Sequence, residues 1–121
     1  MKRNFDLIRK IILDIQSLPA NTQDACLEYT GEYSQDDVNE HVAILIEAGL
    51  VKGKPIRAMG GIIEVSVQSL TWEGHNFAEI AENNVLWKKA ISTINEKGGT
   101  ITFEVLKSLL GSLALKAAGL A

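Results

Sequence analysis

Cysteine is nearly missing from this chain. Cys26 is the sole thiol, which excludes an internal disulfide framework and points to a reducing compartment. No apolar run reaches the length of a membrane span, because Lys88, Lys89, Lys97, Glu104, Lys107 and Lys116 interrupt the one candidate region. A secretory leader is not expected either. Lys2 and Arg3 stand near the N-terminus, but Arg9, Lys10 and Asp14 break up the stretch that would have to be its apolar core. A cytoplasmic protein is therefore expected. Positive charge is absent from a long central stretch: no Lys or Arg occurs between Lys10 and Lys52. The same region carries Asp14, Asp24, Glu28, Glu32, Asp36, Asp37, Glu40 and Glu47. The net charge of −3 conceals this asymmetry, since the basic residues gather at the N-terminus, in Lys52–Arg57 and towards the C-terminus.

What remains is ordinary globular material. With 46% hydrophobic and 22% charged residues over 121 positions, the composition is that of a folded chain rather than a disordered one. A chain of this size buries about two thirds of its unfolded surface, which is enough for a core without staples. One domain over 1–121 is expected, with a core over about residues 3–82 and a C-terminal helical extension over about residues 84–119.

Helical spacing is plain at the N-terminus. Phe5, Ile8, Ile12 and Ile15 recur along one face of Asn4–Leu18, and Leu7, Ile11 and Leu18 widen it. Asn4 or Asp6 can cap the start, and Pro19 prevents continuation. Ala20–Gln23 reads as a loop, and Cys26–Thr30 as a short strand. Ser34 opens the next helix, with Asp37 as an aspartate version of a capping-box partner. Val38, Val42, Leu45 and Ile46 form its apolar stripe, and Gly49 ends it.

After Val51 the period changes from helical to two. Ile63, Val65 and Val67 alternate with Glu64, Ser66 and Gln68, as in a half-buried strand. Gly60-Gly61 suits the preceding tight turn, and Pro55 confines the partner strand to an edge. Thr71 caps a helix from Trp72 to about Glu82, with Phe77, Ile80 and Ala81 inward. Asn83-Asn84 interrupts it. Helix resumes over Val85–Glu96 with Leu86, Ala90, Ile91 and Ile94, and Gly98-Gly99 is expected to stop it. From Thr102 a last helix places Phe103, Leu106, Leu110, Leu113 and Ala117 on one stripe. Trp72 and Trp87 both sit on helical faces, where large aromatics usually belong to the core.

The order helix, strand, helix ending in Glu47-Ala48-Gly49-Leu50-Val51, hairpin, helix resembles a winged-helix domain. This implies an α+β fold, mostly α, with a β-hairpin wing and added C-terminal helices. Three further stretches narrow the resemblance: Met1-Lys2-Arg3-Asn4-Phe5-Asp6-Leu7-Ile8-Arg9-Lys10, the Tyr33-Ser34 helix with His41, and Leu70-Thr71-Trp72-Glu73-Gly74-His75. Together they resemble a bacterial and prophage-associated family, the domain of unknown function numbered twenty-five thirteen. That resemblance runs over nearly the whole chain. It implies a fold and a genomic setting, and it transfers no catalytic or binding residue.

The candidate sites pull in different directions. In a winged-helix domain the Ser34–Ala48 helix would face DNA with Gln35, Asn39 and His41. Here it bears Asp36, Asp37, Glu40 and Glu47 without a base, which repels phosphate. The short positioning helix that should precede a recognition helix is also missing between Pro19 and Ser34. Lys52, Lys54 and Arg57 on the wing are the better phosphate candidates, or else charges that discourage strand pairing at an edge. Cys26, His41 and His75 match no zinc spacing, and no phosphate loop surrounds either glycine pair, so no cofactor, metal or catalytic residue is expected. Phe103, Leu106, Leu110 and Leu113 present a choice between a dimer interface and packing on the first helix. The expectation is a non-enzymatic module acting through a protein partner or itself. The alternative is a DNA-binding regulator that contacts phosphates through its wing.

Overall fold

The computed structural model describes residues 1–97 and 102–119. In order these are α1 (Phe5–Gln16), α2 (Gln35–Glu47), β1 (Val51–Ala58), β2 (Gly61–Leu70), α3 (Trp72–Ala81), α4 (Asn84–Glu96) and α5 (Phe103–Ala117). The fold is α+β and mostly α: five helices and one two-stranded antiparallel hairpin among the described residues. The chain divides into two compact units, Met1–His75 and Asn76–Ala121. The glycine stop expected at Gly98-Gly99 lies outside the described residues.

Each helix begins where a short polar side chain meets the free amides of the first turn. Asn4 Oδ1 accepts from Leu7 at 3.1 Å, Ser34 Oγ from Asp37 at 3.1 Å, and Thr71 Oγ1 from Gly74 at 3.1 Å. Asn83 and Thr102 do the same for α4 and α5, from Leu86 at 3.1 Å and Val105 at 3.2 Å. Asn4 rather than Asp6 is thus the cap of α1.

In the first unit, α1 buries Leu7, Ile8, Ile11, Ile12 and Ile15. These pack with Val38, Val42 and Leu45 of α2 and with the inner face of the hairpin. His41 belongs to this core at 2% exposure. Its Nδ1 lies 2.7 Å from the Asp37 carbonyl oxygen, to which it donates, and its Nε2 accepts from the Asn4 amide at 2.9 Å. One imidazole therefore ties the start of α1 to the first turns of α2.

The alternation expected for β2 is broken twice. Ile62, Val65, Val67 and Leu70 are buried, whereas Ile63 is 63% exposed. The register explains this. Ile56 pairs with Glu64 but Arg57 pairs with Ile62, and Lys52 pairs with Ser69 but Gly53 with Val67. Ile63 and Gln68 are each left over as a bulge, and every bulge moves the alternation by one residue. The expected strand at Cys26–Thr30 is also corrected. Only Ala25 makes a bridge, exchanging backbone hydrogen bonds of 2.9 and 2.8 Å with Val67.

Where the hairpin closes, Gly49 turns the chain at φ +80° and Leu50 enters the core. Thr71 Oγ1 donates to the Gly49 carbonyl at 2.6 Å, and the Thr71 amide donates to that of Leu50 at 3.0 Å. Gly74 lies so close beneath that a Cβ there would run into the Leu50 carbonyl oxygen. Along α3, Gly74, Phe77, Ala78 and Ala81 take the inward positions, which leaves Trp72 on the opposite side at 78% exposure. Trp72 is therefore not a core residue, although Trp87 is, at 4%.

In the second unit α4 packs on α5. Trp87, Ala90 and Ile94 of α4 are buried, as are Leu106, Leu110 and Leu113 of α5. The rings of Phe77 and Trp87 meet edge-on at 6.5 Å, and Phe77 and Phe103 lie 5.2 Å apart. These α5 positions are the ones considered above for a dimer interface. The three leucines are buried within the single chain, and Phe103 is half-buried against Phe77.

Two outcomes follow for stability. Gly74→Ala sets overpacking against rigid backbone, up to about 3 kcal/mol, against about 1 kcal/mol of improved helix propensity. A net loss of about 2 kcal/mol in urea unfolding is expected; an unchanged midpoint would show that α3 does not need this close approach. Tyr29 Oη donates to Asp14 Oδ2 at 2.6 Å. Burial first, and then that hydrogen bond and the charge of Asp14, push the Tyr29 phenol well above its ordinary value of 10.0. The group is raised on folding, so its contribution is complete below about pH 10 and is lost as the unfolded chain ionises above it. Wild type should exceed Tyr29→Phe by about 1 kcal/mol at neutral pH, and the gap should shrink between about pH 9 and 11. A gap independent of pH over that range would refute the assignment.

Candidate interaction site on the hairpin

The hairpin has two chemically different faces, and the register assigns them. Val51, Gly53, Pro55 and Arg57 stand opposite Leu70, Val67, Val65 and Ile62. This is the face toward α1 and α2, except that Arg57 reaches beyond the core and is exposed. On the other face Lys52 stands opposite Ser69, Lys54 opposite Ser66, and Ile56 opposite Glu64. At the turn Met59 is fully exposed (103%), and Ile56 is 41% exposed. Together with the bulged Ile63, three large apolar side chains thus reach solvent at the far end of one hairpin.

The segment before α2 runs beside β2, held by the Ala25–Val67 bridge. It brings carboxylates to the same surface. Asp24 accepts from Ser66 Oγ at 2.6 Å, and Glu64 Oε1 accepts from Cys26 Sγ at 2.8 Å. Two shallow grooves result. One, about 330 Å³, is lined by Asp24, Gly53, Lys54, Ile56, Ser66 and Gln68. The other, about 270 Å³, is lined by Cys26, Glu28, Gln35, Asn39, Ile63, Glu64 and Val65.

Several expected site residues are placed differently from a DNA-reading surface. Asn39 is buried at 6% and His41 at 2%. Gln35 Nε2 donates to the Leu27 carbonyl at 3.0 Å and to Asn39 Oδ1 at 2.9 Å. The amide oxygen of Asn39 is thus occupied and its side chain enclosed. Gln35 is exposed, but its amide is committed to fixing one groove wall. Lys52, Lys54 and Arg57 are all exposed, and no ion pair joins them to a described carboxylate. His75 is exposed in the first turn of α3, apart from Cys26 and His41. Both nitrogens of His41 are used by backbone groups, and among the described residues no three His, Cys, Asp or Glu side chains gather in a metal-binding arrangement.

The pairing of Cys26 with Glu64 lies thirty-eight positions apart in sequence; only the spacing of Ala25 and Val67 along paired backbone brings them together. The hydrogen bond to Glu64 holds the Cys26 thiol above its ordinary value, with partial burial and the charges of Glu64, Glu28 and Asp24 adding to the shift. The thiolate is correspondingly scarce at neutral pH, which is the reverse of an activated nucleophile. Glu64→Gln should therefore speed alkylation of Cys26 by iodoacetamide at about pH 8, by about threefold or more. An unchanged or slower rate would show that Glu64 does not restrain the thiol.

The chain matches the family described as "Hypothetical protein (DUF2513)" over residues 2–100, and it belongs to that family. The resemblance carried by the opening ten residues, the Tyr33-Ser34 helix and Leu70–His75 is thereby borne out. An uncharacterised protein of Haemophilus influenzae is 28% identical over 111 residues, covering 90% of this chain and 92% of that relative. No solved structure matches the chain.

Proposed function

We propose that this DUF2513 protein is a non-enzymatic, winged-helix-like interaction module, in a phage or mobile-element setting, that works through protein–protein contacts of its hairpin. The supporting observation is the exposure of Ile56, Met59 and Ile63 at the far end of that hairpin. Isolated apolar residues on a surface are ordinary; three large ones exposed on one short hairpin support the reading of a contact surface. The carboxylates Asp24, Glu28 and Glu64 stand on the same surface. They would meet the backbone of a nucleic acid with repulsion, whereas a protein surface can offer them cations.

The acidic helix α2 supports the same reading. Asp36 and Asp37 are exposed at its N-terminus and Glu40 is partly exposed one turn on, while the side chains able to read bases are enclosed or engaged. The second reading is a DNA-binding regulator that grips phosphates through the hairpin. It is favoured by the exposure of Lys52, Lys54 and Arg57. Three such contacts support a log–log salt slope no steeper than about −2.7.

Fluorescence anisotropy with a labelled random duplex, at about 50 mM and about 200 mM salt, separates the two. The interaction-module reading expects no saturable binding at either concentration. Tight, salt-dependent binding that disappears in the combined Lys52→Ala, Lys54→Ala, Arg57→Ala variant would overturn it in favour of the regulator.

A further inference from the structure

We infer that the hairpin tip docks into the Cys26–Glu64 groove of a second copy of this chain, so that two copies pair symmetrically along β2. The inference rests on the interaction-module reading and names its partner.

The tip has one apolar anchor and one cation. Met59 is wholly exposed at the turn, and Arg57 is exposed two residues earlier without an ion pair to any described carboxylate. An unbranched thioether side chain adapts readily to an irregular concavity, and a guanidinium can grip a carboxylate through two parallel donors.

The groove has the opposite character. The exposed Cys26 and Ile63 line it beside the buried Val65, and Glu28 and Glu64 supply carboxylates around about 270 Å³ of open volume. The residues Cys26, Glu28, Gln35 and Asn39 come from the stretch that contains no Lys or Arg, and β2 contributes none either. The groove therefore has no cation of its own among its lining residues. Its outer wall is set in advance by the hydrogen bonds of Gln35 to Leu27 and Asn39, which lowers the ordering cost of receiving a side chain.

Position decides that the occupant is another copy. Ile63 lies on β2 between the turn and Glu64, so tip and groove are neighbouring parts of one surface. When donor and acceptor halves share a patch, a two-fold axis passing beside Ile63 fills both grooves at once and the assembly closes at two. Apolar contact of Met59 and Ile63 in the centre, with Arg57 against Glu28 and Glu64 at the edge, is the arrangement that stable interfaces adopt.

Directed disulfide formation tests the contact. A full-length chain carrying Met59→Cys and Cys26→Ser has its only thiol at the tip, and the wild-type chain has its only thiol in the groove. Mixed under diamide, the two should give predominantly the mixed disulfide dimer. Mixed dimers no more abundant than with a Lys97→Cys, Cys26→Ser control, or tip-to-tip dimers alone, would overturn the inference. Sedimentation equilibrium supplies an independent reading on the unmodified surface. Wild type should dimerise, Arg57→Glu should weaken the dimer about tenfold or more, and adding Glu28→Arg in the same chain should recover it. A wild-type chain that stays monomeric overturns self-pairing alone, since the duplex titration judges the module reading separately.

Discussion

The close approach of Gly74 to the Leu50 carbonyl holds the first unit in register. Helix α2 must end at Gly49, whose positive φ sends Leu50 inward. The chain then leaves along β1, returns along β2, and meets its own starting point as Val51 pairs with Leu70. Thr71 secures that closure from one side by donating to Gly49, and from the other by accepting from Gly74. A side chain at position 74 would separate α3 from the loop it caps. Gly49-Leu50-Val51 and the Leu70-Thr71-Trp72-Glu73-Gly74 stretch, the latter one of those that carried the family resemblance, are thus two halves of one junction.

With its base fixed in this way, the hairpin is free to be unusual at its far end. The core is served by Ile62, Val65, Val67 and Leu70, and two bulges bring those four onto one face. The bulge at Ile63 has a second effect: it turns a large aliphatic side chain outward, beside Glu64. Exposure there is a by-product of burying Ile62, and it creates the apolar lip of a groove whose other wall comes from the segment tied down by Ala25. Packing and surface chemistry are coupled through a single extra residue in a strand.

Charge follows the same division. The stretch from Asp14 to Glu47 carries acids without bases, and the helix it contains has its acids at the positive end of its dipole. Those acids stabilise α2 locally and at the same time make it a poor surface for phosphate. The cations that follow on β1 find no described intrachain carboxylate to pair with. Protein contacts can use both signs where a nucleic acid can use only one, which is why the hairpin is read as a protein-binding element.

Local physics made much of this legible from sequence. Capping chemistry at Ser34 and Thr71, the helix start at Thr102, helical spacing along α1, α2 and α5, and the Gly60-Gly61 turn all depend on residues close together in the chain. They appear in the structure as read. Tertiary pairing decided the remainder. Nothing local distinguishes Ile62 from Ile63 as the inward residue, because a bulge is set by the partner strand; Trp72 looks like core until Gly74 fixes which side of α3 faces inward. The α5 leucines read equally as interface or interior until α4 covers them, and Asn39 reads as a surface amide until Gln35 and the groove enclose it. The hairpin is visible in the sequence from its two-residue period, but the surface on which Cys26 meets Glu64 depends on the long-range pairing of Ala25 with Val67.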